Sequence, residues 1–264
     1  MDIAMKLSRM LGTTVNYWLN LQNAYDVLIA EFKSQKELEA ERKIFEYFDY
    51  RFFRENFGLP DLPRKKDEQI KALREFFSVA TLTVFTKRDM AVSFRSSTKD
   101  LPEASIVKAN AMVQIATNKA LKVDAPKFNK KKFETAVQYA LTLTTQHKEF
   151  YPLIKKAFMD AGVIWVILPN ISGSKINGAT KKIGENIMLM VRLNADSFWF
   201  TLFHEIGHII NGDYGISFEK ETGEQEVSAD KFAEDCLIPP EEYERFISDK
   251  KFGLQDIRKF ANEI

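Results

Sequence analysis

The sequence predicts an α+β fold, in which a mainly helical N-terminal and middle region precedes a small sheet and a strongly apolar helix. Three observations support this. Apolar residues recur at helical spacing as far as residue 148. Short runs rich in β-branched and aromatic residues follow between residues 163 and 193. The stretch 198–210, FWFTLFHEIGHII, then returns to helical periodicity.

The first region, residues 1–36, is predicted to form two helices. An apolar stripe begins at Ile3, and Gly12 ends it. Thr13 or Thr14 can cap the helix that follows. The simplest interpretation is a helical pair that packs on the next segment.

The second region, residues 37–148, is predicted to be an all-helical connector without a catalytic constellation. Its first helix is charged and amphipathic and covers residues 37–54. Residues 93–102 are predicted to be a loop because they are polar and end in proline. Three further helices are expected at about 70–77, 104–121 and 133–143.

The third region, residues 149–264, is where the periodicity changes. A helix near 153–161 leads into a strand at 163–168, which Pro169 stops. A hairpin is predicted around Gly184. Residues 213–223 are predicted to be a polar loop, and two short helices are expected to cover the core from residue 241 onward.

Composition narrows the class of protein. The 264 residues are 45% hydrophobic and 28% charged, as in a soluble globular protein. The net charge of +1 gives no electrostatic case for nucleic-acid binding by the whole chain. No apolar run approaches the length of a membrane span, and no signal peptide opens the chain. The single cysteine fits a reducing compartment, so a cytoplasmic protein is expected.

The helix predicted over 198–210 has its own start and stop signals. Asn194, Asp196 and Ser197 offer N-cap side chains before it, and Asn211-Gly212 supplies a stop. Its apolar residues form one broad face, so burial of that face is predicted.

The stretch 198–210 contains His204-Glu205-Ile206-Gly207-His208, an H-E-x-x-H pattern. Residues i and i+4 share one helix face, so both imidazoles can bind one metal ion. Zinc lowers the pKa of a water molecule from about 15.7 to about 7, so a carboxylate such as Glu205 can take its proton at neutral pH. This is the chemistry of a zinc metallopeptidase, and a small sheet followed by such a helix is the usual zincin layout. The alternative is a buried helix with two histidines satisfied by hydrogen bonds.

The spacing alone leaves the third ligand open. His147 lies far upstream, and Cys236 could serve in principle. A catalytic zinc keeps three protein ligands plus a water, so one more ligand is needed. The better candidates are carboxylates in and near the segment 223–237. If this segment is a helix, two small alanines share a face with Glu226 and Asp230 and allow close packing on the zinc helix. The candidates are Glu219, Glu221, Glu224, Glu226 and Asp230, and the alanines are Ala229 and Ala233.

HEIGH, followed by E-x-x-A-D-x-F-A from Glu226 and then by L-I-P, resembles the ImmA/IrrE family of zinc metallopeptidases. The resemblance implies Zn²⁺ held by His204, His208 and Glu226, with Glu205 as the catalytic residue. It also implies that the substrate is a repressor of the XRE family, whose cleavage would release the genes that it controls. Asp230 stands where the family usually has Asn.

The stretch MKLSRMLGTTVNYWLNLQNAYD resembles the C-terminal part of HigA-type antitoxins of the XRE helix-turn-helix family. In that family the DNA-reading helix precedes this stretch, so we expect no sequence-specific DNA binding from this chain. A toxin or a second copy of the chain is the expected partner of these helices. Residues 73–82, LREFFSVATL, resemble the connector of fused XRE–ImmA/IrrE proteins. The competing hypothesis is a regulator that binds zinc or a partner protein without catalysis.

Overall fold

The computed structural model describes residues 2–87, 101–145, 149–192, 197–218, 223–250 and 252–263. The predicted α+β class is confirmed, because the described chain is mostly helical with one small mixed sheet. Residues 93–100 of the predicted loop, and His147, lie outside the described residues.

The elements before the sheet are helices. In chain order they are α1 (Asp2–Leu11), α2 (Val15–Phe45), α3 (Tyr50–Phe57), α4 (Lys66–Phe77), a 3-10 helix (Leu82–Thr86), α5 (Glu103–Ala120), α6 (Lys130–Thr142) and α7 (Phe150–Asp160).

The second half of the described chain contains the four strands of the sheet. It is β1 (Val163–Leu168), β2 (Ile176–Ile183), β3 (Asn186–Arg192), α8 (Phe198–Asn211), β4 (Gly215–Phe218), α9 (Glu224–Leu237), α10 (Pro240–Ser248) and α11 (Leu254–Glu263). The strand order across the sheet is β1-β3-β2-β4. β1 runs parallel to β3, and β2 is antiparallel to both β3 and β4. The predicted hairpin around Gly184 is therefore confirmed, and this glycine takes the left-handed conformation, with φ of 56°.

Two hydrophobic cores enclose the sheet, one on each face. Met188 and Met190 of β3 point into the core formed with α2, α3, α4 and α5. Ile187, Leu189 and Val191 of the same strand point into the core formed with α6, α7, α8 and α9. Both faces are buried, which explains why β1 and β3 are almost continuous apolar runs rather than alternating ones. The layers are helices, sheet and helices, and α8 lies in the second helical layer.

The helix predicted over residues 37–54 is two helices in the structure. α2 continues from the first region through residue 36 and ends at Phe45, and α3 begins after a short turn. Asp49 causes the restart, because its side chain accepts a hydrogen bond from the backbone N–H of Arg51 and caps α3. The predicted boundary between the first two regions thus falls inside one continuous helix.

The connector and the C-terminal region pack as one body. α5, from the connector, lies on β1, β2 and β3, and its buried Ser105 donates a hydrogen bond to the carbonyl oxygen of Gly173. α6 packs on α7 within the second core. The division predicted near residue 148 therefore does not separate two cores.

Two predictions about the C-terminal part are wrong in detail. The polar loop expected over 213–223 contains a strand, because residues 215–218 pair with β2 as β4. Residues 219–222 lie outside the described chain. The tail helices also cover less of the core than expected, since α10 has no buried residue. Phe246 of α10 instead stacks on Phe260 of α11, with their ring centroids 4.4 Å apart.

The two N-terminal helices keep much of their apolar surface exposed. Thr14 caps α2 as predicted, because its side chain accepts a hydrogen bond from the N–H of Tyr17. α1 packs on α2. Large apolar side chains nevertheless remain exposed on both helices, among them Met10, Leu11, Tyr17, Leu21, Leu28 and Phe32. Within the part of the chain that the structure describes, no helix is both long and apolar enough to cross a bilayer.

Gly162 makes the turn into β1 and provides a test of the fold. Its φ is 84°, and a Cβ there would lie 2.5 Å from the backbone Cα and N of Phe128. Gly184 has a similar positive φ of 56° but open space around it. Gly184→Ala should therefore cost only the left-handed strain, about 1–2 kcal/mol. Gly162→Ala should cost clearly more, because backbone must move as well.

Chemical denaturation of the two variants measures this difference in the free energy of unfolding. Equal losses would contradict the close approach of the segment around Phe128 to the start of the sheet.

Candidate metal centre

α8, which is 14 residues long, carries the H-E-x-x-H pattern. It ends as predicted at Gly212, whose φ of 78° is left-handed and whose N–H bonds to the carbonyl oxygens of His208 and Ile209. Ser197 occupies the N-cap position. The other two predicted cap residues, Asn194 and Asp196, lie outside the described chain.

Both faces of α8 are buried, whereas the sequence predicted burial of its apolar face alone. His204 is 8% exposed, and Glu205 and His208 are both 0% exposed. β2 and β3 pack against α8, and α9 packs along its length. The polar residues of the motif therefore face other protein elements rather than open solvent.

α9 approaches α8 closely, as the small residues in its sequence predicted. A Cβ on Gly207 would lie 3.2 Å from Cα of Ala229 and from Cβ of Phe232. Ala229 and Ala233 are completely buried. This contact explains a glycine in the interior of a helix, where it costs about 1 kcal/mol relative to alanine. Val227, also on α9, is 61% exposed.

The close contact brings three metal-binding side chains together. His204 Nε2 lies 3.1 Å from His208 Nε2 and 3.1 Å from Glu226 Oε2. His208 Nε2 lies 3.4 Å from Glu226 Oε1. The ligand atoms of a tetrahedral zinc ion lie about 3.3 Å apart, because its bonds to nitrogen and oxygen are about 2.0–2.2 Å long. The spacing and the donor atoms therefore fit a metal ion.

Among the described residues, these three form the one group of His, Cys, Asp and Glu side chains able to hold a metal ion. The structure thus favours Glu226 among the carboxylates that spacing left open. Glu224 is exposed on the first turn of α9, and Cys236 packs against the second core. Glu219 and Glu221 lie outside the described chain.

Asp230 takes a part that sequence reasoning did not assign to it. Its Oδ1 lies 2.8 Å from Nδ1 of His204. A carboxylate only accepts, so Nδ1 of His204 carries a hydrogen and donates it to Asp230. A metal ion at Nε2 would bind the neutral ring in this same tautomer. Carboxylates commonly orient metal-binding histidines in this way. The available signal was the spacing of Asp230 from Glu226, which puts both on the same face of α9.

The cluster also sets the ionisation of Glu226. Burial alone would raise the pKa of this carboxyl group, but hydrogen bonds from His204 and His208 outweigh burial and lower the pKa to about 2. Burial acts to lower the pKa of His204, yet its hydrogen bond to Glu226 and the nearby charge of Glu205 raise it above the ordinary value. Glu226 is therefore a carboxylate at neutral pH, the form that binds a cation.

Glu205 lies beside the cluster rather than in it. Its side chain is completely buried and runs along β2, where it lies directly against Gly178. The three candidate ligands and Glu205 thus come from two helices, α8 and α9, and β2 lies beside Glu205.

Residues 163–262 match the family model Peptidase_M78, described as the IrrE N-terminal-like domain. The matched segment contains the whole sheet, α8 and α9, so it includes every residue of the metal centre. The match supports a metallopeptidase type of function for this segment. Residues 1–162 lie outside it. No curated protein and no solved structure matches the chain.

Replacing Glu226 tests the third ligand. Glu226→Ala should lose the stoichiometric zinc of the parent protein, because two imidazoles alone leave the ion too few protein ligands. Glu224→Ala is the matched control: it removes an exposed carboxylate from the same helical turn and should keep its zinc. Elemental analysis after dialysis measures the metal content. Full zinc content in Glu226→Ala would show that another residue is the third ligand.

Replacing Asp230 tests its effect on His204. Asp230→Ala should weaken zinc binding by about 10–100-fold, as is typical when the partner of a ligand is removed. Asp230→Asn should weaken it less, since the amide oxygen can still accept from Nδ1. Asp235→Ala is the control, because Asp235 is bonded to Lys231 at the surface of the same helix. Competition with a chromophoric chelator measures the affinities, and equal affinity in Asp230→Ala and the parent would exclude this effect.

Proposed function

We propose that this chain is a zinc-dependent endopeptidase with a zincin-like C-terminal region. His204, His208 and Glu226 hold the ion, and Glu205 is the general base. The observation that carries the proposal is the convergence of two imidazole nitrogens and one carboxylate, 3.1–3.4 Å apart, inside the segment that matches Peptidase_M78.

The ligand set favours zinc with a position left for chemistry. Structural zinc sites are usually closed by four protein ligands, whereas catalytic sites keep three and leave one position open. Bound zinc supplies Lewis acidity, which polarises a carbonyl group and makes a water molecule more acidic. Two histidines with one glutamate are a known catalytic ligand set for zinc.

The chain's own residues supply the remaining chemistry. Asp230 orients His204 through the hydrogen bond to Nδ1. Glu205 takes a proton from the attacking water and passes it to the leaving amine. A purely structural metal site has no use for a buried glutamate at this position, so the burial of Glu205 supports the catalytic proposal.

An extended peptide substrate fits the edge of the sheet. β4 lies at one end of the described sheet and pairs with β2, the strand that runs along Glu205. Edge strands bind extended peptides through main-chain hydrogen bonds. We propose that the scissile segment adds to the sheet at β4.

The proposed substrate is a repressor of the XRE family. Its cleavage would regulate transcription in a stress response, a mobile element or a toxin–antitoxin system. The support is the sequence resemblance of HEIGH and the Glu226 motif to the ImmA/IrrE family. The resemblance of residues 1–36 to HigA-type antitoxins points to the same class of regulators.

A second function is favoured by the apolar surface of α1 and α2. Single exposed apolar residues are ordinary, but a contiguous apolar surface usually marks an interface. In this alternative, the N-terminal helices bind a toxin or a second copy of the chain, and the metal site has no catalytic part. Recovery of a stable complex by the zinc-loaded protein, without cleavage of any repressor, would favour it.

Glu205→Gln separates the two functions. The amide keeps the size of the side chain but cannot take a proton, so cleavage should fall by about 10²–10⁴-fold. Zinc content should remain that of the parent, because Glu205 is not among the three ligands. Glu224→Gln makes the same chemical change at an exposed position and should cleave normally.

The assay incubates each zinc-loaded protein with a purified XRE-family repressor, and mass spectrometry identifies the products. Undiminished cleavage by Glu205→Gln would exclude Glu205 as the general base.

A further inference from the structure

Gly178 is an unusual residue for its place in the fold. It lies within β2, and in the register of the sheet it pairs with Val191 of β3 and Ser217 of β4. Glycine weakens the interior of a strand, because it has no side chain to pack and loses more entropy on folding. Its φ is not in the left-handed region, unlike that of Gly184 at the end of the same hairpin. The register against β4 shifts between Ile176 and Gly178. The φ angle at this irregularity does not itself require glycine.

The space around Gly178 does require it. A Cβ at this position would lie 2.5 Å from Oε1 of Glu205, and 2.6 Å from both Cδ and Cγ of that side chain. These three atoms are the ones that a methyl group on residue 178 would meet first. Non-bonded atoms of separate residues do not pack this closely, so a methyl group would force a displacement.

The displacement would fall on Glu205. β2 pairs with β3 without interruption from Gly178 to Ile183, and it pairs with β4 on its other side, so the strand resists a shift. The glutamate side chain can turn about its own rotatable bonds, and a rotamer change costs less than breaking a ladder of backbone hydrogen bonds. Glu205 is completely buried, and it cannot swing into solvent from its present place.

We infer that Gly178 is a positioning residue for the reaction: its missing side chain makes the space that the Glu205 carboxylate occupies. This inference rests on the proposed function for its catalytic consequence, but the space itself is a property of the fold. The metal ligands lie on α8 and α9 and are not among the atoms that a methyl group on Gly178 would meet first. A side chain at 178 should therefore disturb the base and leave the metal in place.

The first test is independent of activity. The shift in melting temperature caused by Gly178→Ala is measured in two backgrounds, one with Glu205 and one with Glu205→Ala. With Glu205 present, the methyl group should lower the melting temperature. With Ala at 205 the clashing atoms are gone, so the same substitution should leave the melting temperature unchanged or raise it. Equal lowering in both backgrounds would overturn the inference, because Gly178 would then serve the strand alone.

The second test uses the zinc-loaded protein and the repressor cleavage assay. Gly178→Ala should keep one zinc per chain and a KM close to that of the parent, while kcat falls by about 100-fold, as expected for a base misplaced by roughly 1 Å. Gly184→Ala is the matched control, since it adds a methyl group to the same hairpin where space is open, and kcat should not change. Parental kcat in Gly178→Ala would overturn the inference.

The two tests also separate this inference from the proposed function. A parent protein that binds zinc but cleaves nothing would contradict the proposed function. The melting-temperature comparison would still decide whether Gly178 provides the space for Glu205. Gly178→Ala that unfolds, together with a folded Gly178→Ala/Glu205→Ala protein, would support the inference through the same comparison.

Discussion

The metal centre depends on the close contact between α8 and α9. Two histidines on α8 need a further protein ligand to hold a metal ion, and α9 places Glu226 where it could be that ligand. The helices approach because Gly207 has no side chain and Ala229 opposite it has a small one. The distance between two packed helices depends on the size of the side chains at the contact, so larger side chains here would hold α8 and α9 farther apart. Gly207 thus costs α8 some stability, but it allows α9 to lie close enough for Glu226 to reach the two histidines.

The contact between α8 and α9 buries several ionisable side chains, which is costly in free energy. His204, His208, Glu205 and Glu226 are all buried, and charges taken out of water are costly unless they are paired or bind a metal. The pairing within the cluster offsets this cost. The Glu226 carboxylate lies between the two imidazoles, and Asp230 is a second acceptor for His204. The low pKa of Glu226 follows from this pairing, since its ionised form is the one that the histidines stabilise. The centre is electrostatically prepared for a cation by residues of the chain alone.

The sheet has a further part in building the site. It separates two cores, so both of its faces are packed and its strands are held in place. β2 can therefore act as a rigid wall against α8, and Gly178 is the point at which this wall leaves room for a buried carboxylate. The helices of the connector contribute indirectly: α5 lies on the sheet, opposite to α8, and fixes the strands from behind.

Sequence by itself determined the features that depend on local spacing. The pair His204 and His208 follows from helical periodicity, Gly212 from the need for a left-handed cap, and the hairpin from the turn at Gly184. The shared face of Glu226 and Ala229 also follows from periodicity. Local spacing could not choose Glu226 among five acidic candidates, because that choice depends on which side of α9 meets α8.

Only the tertiary structure decided the remaining features. β4 was missed because four residues in a polar segment become a strand through pairing with β2, not through local preference. The burial of the polar face of α8 depends on α9 and β2, which no pattern within α8 can indicate. The roles of Asp230 and Gly178 are distances between atoms on different elements. Sequence periodicity predicts which residues share a face of a helix or strand. Which other element packs against that face depends on the tertiary structure.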